Sequence, residues 1–80
     1  MPYKLVLTSD IKQQLGDLPG YIKAMARRQI ASLLIEPRPS RSKELRGHAG
    51  HYRLWLGPKC RLVWQVREEE RTIEIEYVGP

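Results

Sequence analysis

An α+β fold in the order β-α-α-β-β-β, with a helical hairpin on one face of a small, twisted, mostly antiparallel sheet, is predicted by three features of this 80-residue sequence. Apolar residues recur at the helical period of 3.6 between Ile11 and Leu34. They alternate at the strand period of two from Tyr52 onward. Proline- and glycine-bearing stretches mark each change of period.

Tyr3-Lys4-Leu5-Val6-Leu7 is a short apolar run closed by Thr8-Ser9-Asp10, which is helix N-cap chemistry, so a strand leads into a helix. Ile11, Leu15 and Leu18 then form one apolar stripe on a short first helix, weakened by Gly16 and ended by Pro19-Gly20. The second helix, about Tyr21 to Ile35, sets Ile22, Met25, Ala26, Ile30, Leu33 and Leu34 along a broad stripe predicted to lie on the sheet. Ala24, Ala31 and Ile35 make a smaller stripe on roughly the opposite side, open to another helix or to a partner chain. Glu36-Pro37-Arg38-Pro39-Ser40 stops the helix, because each proline lacks an amide donor and biases its predecessor toward extended geometry. An extended, basic connector begins there.

Tyr52, Leu54 and Leu56 alternate with Arg53 and Trp55 on a second strand, and Gly57-Pro58 is turn chemistry. Leu62, Trp64 and Val66 continue the inner face on a third strand, with Arg61, Val63 and Gln65 on the other side. Glu68-Glu69-Glu70 is a charged loop, after which Ile73, Ile75 and Tyr77 are predicted to complete the inner face on a fourth strand.

This length makes residues 1–80 a single domain with one modest core. A domain so small buries only about two thirds of the surface of its unfolded chain, so a partner that adds burial is expected. The longest apolar stretch, Ala31 to Ile35, is far short of the roughly 20 residues of a membrane span, and no signal segment precedes it. The chain reads as cytoplasmic, with no membrane partner. A single cysteine, Cys60, precludes an internal disulfide and agrees with a reducing compartment.

The net charge of +5 is concentrated in the middle of the chain. Residues 1–37 carry five Lys/Arg against three Asp/Glu, residues 38–61 seven against one, and residues 62–80 two against five. Strand alternation adds direction: if the apolar partners face the helices, Arg53, Trp55 and Arg61 share the opposite face. Lys59 sits at the adjoining turn, and Lys43, Arg46, His48 and His51 lie on the approach to the same strand. Guanidinium forks suit phosphate oxygens and an exposed indole can stack on an unpaired base, so the pattern is a footprint for a polyanion. RNA is favoured over duplex DNA because no recognition helix carries the charge. A solvated basic face is the bland alternative, as is a Trp55 covered by the connector or by a partner helix.

Lys43-Glu44-Leu45-Arg46-Gly47, Tyr52-Arg53-Leu54-Trp55-Leu56-Gly57, Cys60-Arg61-Leu62-Val63-Trp64-Gln65-Val66 and Tyr77-Val78-Gly79 together resemble the RelE/ParE toxin superfamily, over nearly the full chain. The resemblance implies a bacterial or archaeal type II toxin. In the RelE branch, toxins cut mRNA in the ribosomal A site; in the ParE branch, they inhibit DNA gyrase. The RelE-like branch is the leading expectation, with attack by a ribose 2′-hydroxyl on its own phosphate and no metal or cofactor. The alternatives are a gyrase inhibitor or a catalytically deficient member that binds antitoxin and RNA only. By the same resemblance Arg61 matches the arginine that contacts the scissile phosphate, and Arg53 falls where a lysine is common on the preceding strand. Arg61 and Arg53 are therefore the catalytic candidates, with Lys43, Arg46, His51, Trp55 and Lys59 as RNA-binding candidates.

The chain stops at Pro80, where the resemblance would place an arginine and then a tyrosine or histidine. Binding without efficient cleavage is the expectation for the chain as it stands, and whether the native chain continues past Pro80 stays open. The implied partners are an acidic antitoxin, with a heterotetramer as one arrangement open to the pair, and the ribosome with its mRNA. His48 and His51 with Cys60 have no recognisable zinc spacing. His51 is also a candidate general base, since an imidazole titrates near neutrality. Glu74 and Glu76, outward on the last strand, are expected either to brace Arg53 or Arg61 or to be solvated.

Overall fold

The computed structural model describes residues 2–80. In chain order the elements are β1 (Lys4–Val6), α1 (Ser9–Gly16), α2 (Gly20–Leu33), β2 (Lys43–Glu44), β3 (His51–Leu56), β4 (Cys60–Arg67) and β5 (Thr72–Gly79). The strands form one sheet in the order β1-β5-β4-β3-β2. β1 runs parallel to β5, and every other neighbouring pair is antiparallel. The helical hairpin therefore carries the chain from β1 at one edge of the sheet to β2 at the other, and the antiparallel run β2 to β5 then returns it beside β1.

Local chemistry explains the helix limits. Thr8 is extended at the N-cap of α1, and its hydroxyl accepts from the Ile11 amide at 3.3 Å. Pro19 opens α2 without a side-chain cap, its fixed φ suiting a tight reversal between the helices. Ile11 and Leu15 of α1 and Ile22, Ala26, Ile30 and Leu33 of α2 are buried on the sheet. Met25 and Leu34, placed on the same stripe, are only partly buried against that core.

Trp64 lies at the centre of the core with no exposed surface. Its indole N–H donates to the Pro37 carbonyl at 3.0 Å, and the Tyr52 ring stacks on it with centroids 6.1 Å apart. The proline-rich connector is thus fastened over the sheet by the polar end of the largest core side chain. At the other end of the β3–β4 hairpin, Gly57 has φ +67°, and a Cβ there would stand 2.8 Å from the Ile22 methyl. Glycine is required at that turn by both backbone and packing.

Two sequence expectations are corrected. The connector, expected to be merely extended, contains a fifth strand: Lys43 and Glu44 pair with Arg53 and Tyr52. Two residues suffice because β3 offers an open edge. Tyr77, expected inward, lies outward. A bulge sets Ile75 against Trp64 but Tyr77 against Val63, so Glu76 and Tyr77 together oppose one residue of β4. Val78 then takes the inward place opposite Leu62. The second stripe, Ala24, Ala31 and Ile35, is exposed, Ile35 at 82%.

Candidate nucleic-acid interface

The helices cover one face of the sheet and leave the other uncovered. On that outer face the register aligns Lys43, Arg53, Val63 and Tyr77 in one row across β2 to β5. Trp55, Arg61 and Gly79 form the next row, and His51, Gln65 and Glu74 the row on the other side. Arg53 and Arg61 are therefore diagonal neighbours on β3 and β4, about 7–8 Å apart by ordinary sheet geometry. Lys43 is directly beside Arg53. The cluster predicted from alternation is assembled by the strands themselves.

Arg53 and Arg61 have no carboxylate partner among the described residues. Among the described residues, Arg61 is held only by the Tyr77 ring, whose centroid is 5.4 Å from its guanidinium carbon. Such a contact steadies the cation and leaves its N–H donors free. The acidic residues expected to brace the arginines bind elsewhere. Glu74 accepts from Arg67 at 2.6 Å, and Glu76 lies 2.7 Å from Nδ1 of His51. The outer face keeps unneutralised cations beside carboxylates that are already engaged.

Arg38 does not belong to this cationic surface. Its Nε donates to the Tyr52 hydroxyl at 2.9 Å and its Nη2 to Glu68 at 2.9 Å, and Tyr3 donates to the same carboxylate at 2.5 Å. The Tyr52 hydroxyl, followed by Glu68, raises the guanidinium above its ordinary value, and the Tyr3 hydroxyl, followed by Arg38, holds Glu68 below the usual carboxylate range. Arg41 is occupied too, donating to Gln29 at 2.9 Å. The basic surface that opens the connector is a structural clamp; the unpaired cations begin at Lys43.

Trp55 is half exposed, and its neighbours Leu54 and Leu56 are buried. β2 has ended by this point, so the indole stands at the open edge of β3 and borders a shallow groove of about 310 Å³ with Met25, Arg28, Gln29 and Arg41. One side of the indole faces that groove, and half of the residue is open to solvent. Arg46 and Lys59 are separated by the length of β3. Arg46 is exposed in the β2–β3 loop beyond His51, whereas Lys59 is in the turn beyond Leu56 and lines a groove with Asp17 and Tyr21 of the helical hairpin. They flank the central cluster and do not join it. Cys60 is buried opposite Leu56, at the other end of the strand pair from His51.

Sequence reasoning misplaced Tyr77 and did not foresee that Glu76, outward as expected, would meet His51, and both outcomes follow from the bulge. The signal was the run Tyr77-Val78-Gly79, in which Val78 competes with Tyr77 for the inward place. Simple alternation favours Tyr77, yet Val78 and Gly79 are both buried in succession.

No family model and no curated protein matches the sequence. Solved structures do. The toxin–antitoxin complex RelBE2 from Mycobacterium tuberculosis contains a chain 27% identical, with a TM-score of 0.79, covering 99% of this chain and 98% of that one. The archaeal RelE–RelB complex from Pyrococcus horikoshii gives a TM-score of 0.85 at 24% identity, over 100% and 96% of the two chains. The isolated E. coli RelE toxin gives 0.83 at 24%, over 96% and 82%. By its fold, the chain stands in the RelE-like toxin superfamily.

Proposed function

We propose that the protein is the toxin of a type II toxin–antitoxin pair and that it cleaves mRNA on the ribosome, in the cytoplasm. The observation that carries this reading is the pair Arg53 and Arg61, diagonal on an uncovered sheet face and free of protein carboxylates, in a fold shared with RelE toxins. A phosphodiester lying across the diagonal receives N–H donors from both guanidinium groups. As the ribose 2′-oxygen attacks phosphorus and the bond to the 5′-oxygen breaks, negative charge grows on the phosphate oxygens. Fixed donors aimed at those oxygens stabilise the transition state more than the ground state. Arg61, backed by the Tyr77 ring, serves the scissile phosphate; Arg53 shares that charge, and Lys43 extends the cationic row to the neighbouring phosphate. Trp55 offers an exposed indole for stacking on an unpaired base, while Arg46 and Lys59 draw in the strand from either end.

The partner reading has its own support. Several of the similar structures are complexes of RelE with the antitoxin RelB. This chain leaves Leu5, Val6, Tyr21, Ile35 and Trp55 as exposed apolar groups amid a net charge of +5. An acidic, amphipathic antitoxin would cover apolar surface and meet opposite charge at once.

Expressing the chain without its antitoxin, beside an Arg61→Ala control, and mapping cellular mRNA ends tests the function. New ends at sense codons that vanish in the control support ribosome-dependent cleavage. Growth arrest with intact mRNA rejects it and directs attention to gyrase.

A further inference from the structure

The bulge in β5 delivers a carboxylate to a histidine on the same face as the arginines. Because Glu76 and Tyr77 together oppose Val63, both side chains occupy the outer face. Tyr77 turns to Arg61, and Glu76 reaches across β4 to His51 on β3, where Oε1 stands 2.7 Å from Nδ1. Neither side chain is deeply buried, at 26% and 29% exposure, so the pair is not a core ion pair.

From this geometry we propose that His51, oriented by Glu76, is the general base that takes the proton from the attacking ribose 2′-hydroxyl. The inference rests on the RNA-cleavage reading above and adds to it the group that starts the reaction. A carboxylate at Nδ1 selects the tautomer in which that nitrogen carries the hydrogen, and leaves the lone pair on Nε2. The loop before β3 fixes the ring's position. Leu45 N–H donates to the His51 carbonyl at 2.8 Å, His51 N–H to the His48 carbonyl at 3.1 Å, and Gly50 N–H to the Glu44 carboxylate at 2.9 Å. The His48 ring meets the His51 ring edge to face, with centroids 6.0 Å apart.

His51 precedes Arg53 by two residues on one strand, so both side chains leave the same face roughly 7 Å apart along the chain. A phosphate on Arg53 and Arg61 thus has its ribose within reach of an imidazole on one side. In the step proposed, the 2′-O–H proton moves to Nε2, the 2′-oxygen forms a bond to phosphorus, and the bond from phosphorus to the 5′-oxygen breaks. Solvent water protonates the leaving oxygen, and the imidazolium returns its proton to solvent. The products are a 2′,3′-cyclic phosphate and a 5′-hydroxyl end. Glu76 touches no substrate; it is a positioning residue.

The test uses purified protein with programmed ribosomes carrying a defined mRNA, and reads single-turnover cleavage. Removing a general base is expected to slow cleavage by roughly 100-fold or more. His51→Gly should show that loss and recover activity when imidazole is added to the buffer. His51→Gln, which fills the space, should be equally slow and gain nothing from imidazole. Glu76→Gln should be slowed by a smaller factor, because the ring remains but its tautomer is no longer selected, and imidazole should not rescue it. Arg61→Ala should also be slow and insensitive to imidazole. Cleavage by His51→Gln at the wild-type rate while Arg61→Ala is inactive overturns the dyad and leaves the nuclease reading standing. Absence of imidazole rescue in folded His51→Gly, checked by circular dichroism, also overturns it. No cleavage by the wild-type protein removes the nuclease reading, and the dyad's role with it.

Discussion

Arg53 and Arg61 owe their availability to their neighbours. Each extends from a strand whose alternate residues are locked in the core, so the backbone beneath the guanidinium groups cannot drift. The carboxylates that would neutralise them are engaged by Arg67 and His51. An arginine that meets a single-stranded phosphate displaces counterions, contributing about 0.7 to the slope of log affinity against log salt. Arg53→Ala and Arg61→Ala should each flatten that slope by about this amount in RNA titrations; an unchanged slope would remove the residue from the phosphate contact. Gly57 shows the same dependence on surroundings at a position with no side chain. Its φ of +67° and the 2.8 Å approach to Ile22 both oppose a Cβ. Gly57→Ala should destabilise the fold by about 1–2 kcal/mol, from the left-handed backbone alone, visible as a lower urea midpoint with an unchanged slope.

The elements are joined by polar groups where their hydrogen-bond ladders end. β1 pairs with β5 only from Thr72 to Glu74, which leaves the later amides of β5 without a strand on that side. Gln14 of α1 fills the gap at Val78, accepting its N–H at 3.0 Å. The connector between α2 and β2 is tied down by the Trp64 indole at Pro37, and by the cluster of Arg38, Tyr52, Glu68 and Tyr3. Arg71 stacks over Tyr3, 4.3 Å from the ring centroid, and completes that cluster. Tyr3 and Arg38 depress Glu68 below its ordinary value of 4.5. A carboxylate depressed on folding adds stability above its unfolded value and loses it as pH falls through the folded one. Thermal stability should therefore decline below about pH 4.5, and Glu68→Gln and Tyr3→Phe should each make that decline shallower. An acid limb identical to wild type in both variants would show that the cluster contributes nothing to it.

With a Cα radius of gyration of 11.8 Å, against about 11.6 Å for an ordinary domain of this length, the protein is fully condensed and still leaves apolar groups exposed. Leu5, Leu34 and Ala31 border a groove of about 390 Å³ between β1 and the helices, with Lys12 and Arg27 on its rim. Docking of an acidic antitoxin should slow amide exchange in α2 or around Trp55, and exchange unchanged in both would exclude these surfaces as its seat. The order of elements, the two helical stripes, the N-cap at Thr8 and the outward direction of Arg53, Trp55 and Arg61 were legible in the sequence. Each follows from hydrophobic period and local backbone preference, which act over a few neighbouring residues. The fifth strand at Lys43 and the outward turn of Tyr77 were not legible, nor were the loss of Arg38 to a clamp and the meeting of Glu76 with His51. Those depend on which backbone edge, bulge or side chain lies nearby in space, between residues 10 to 30 apart along the chain. The basic segment that the composition singled out is therefore two things: its first arginines hold the fold together, and its later ones face solvent. Local pattern settled which way a side chain points, and long-range contact settled whether it is free to act.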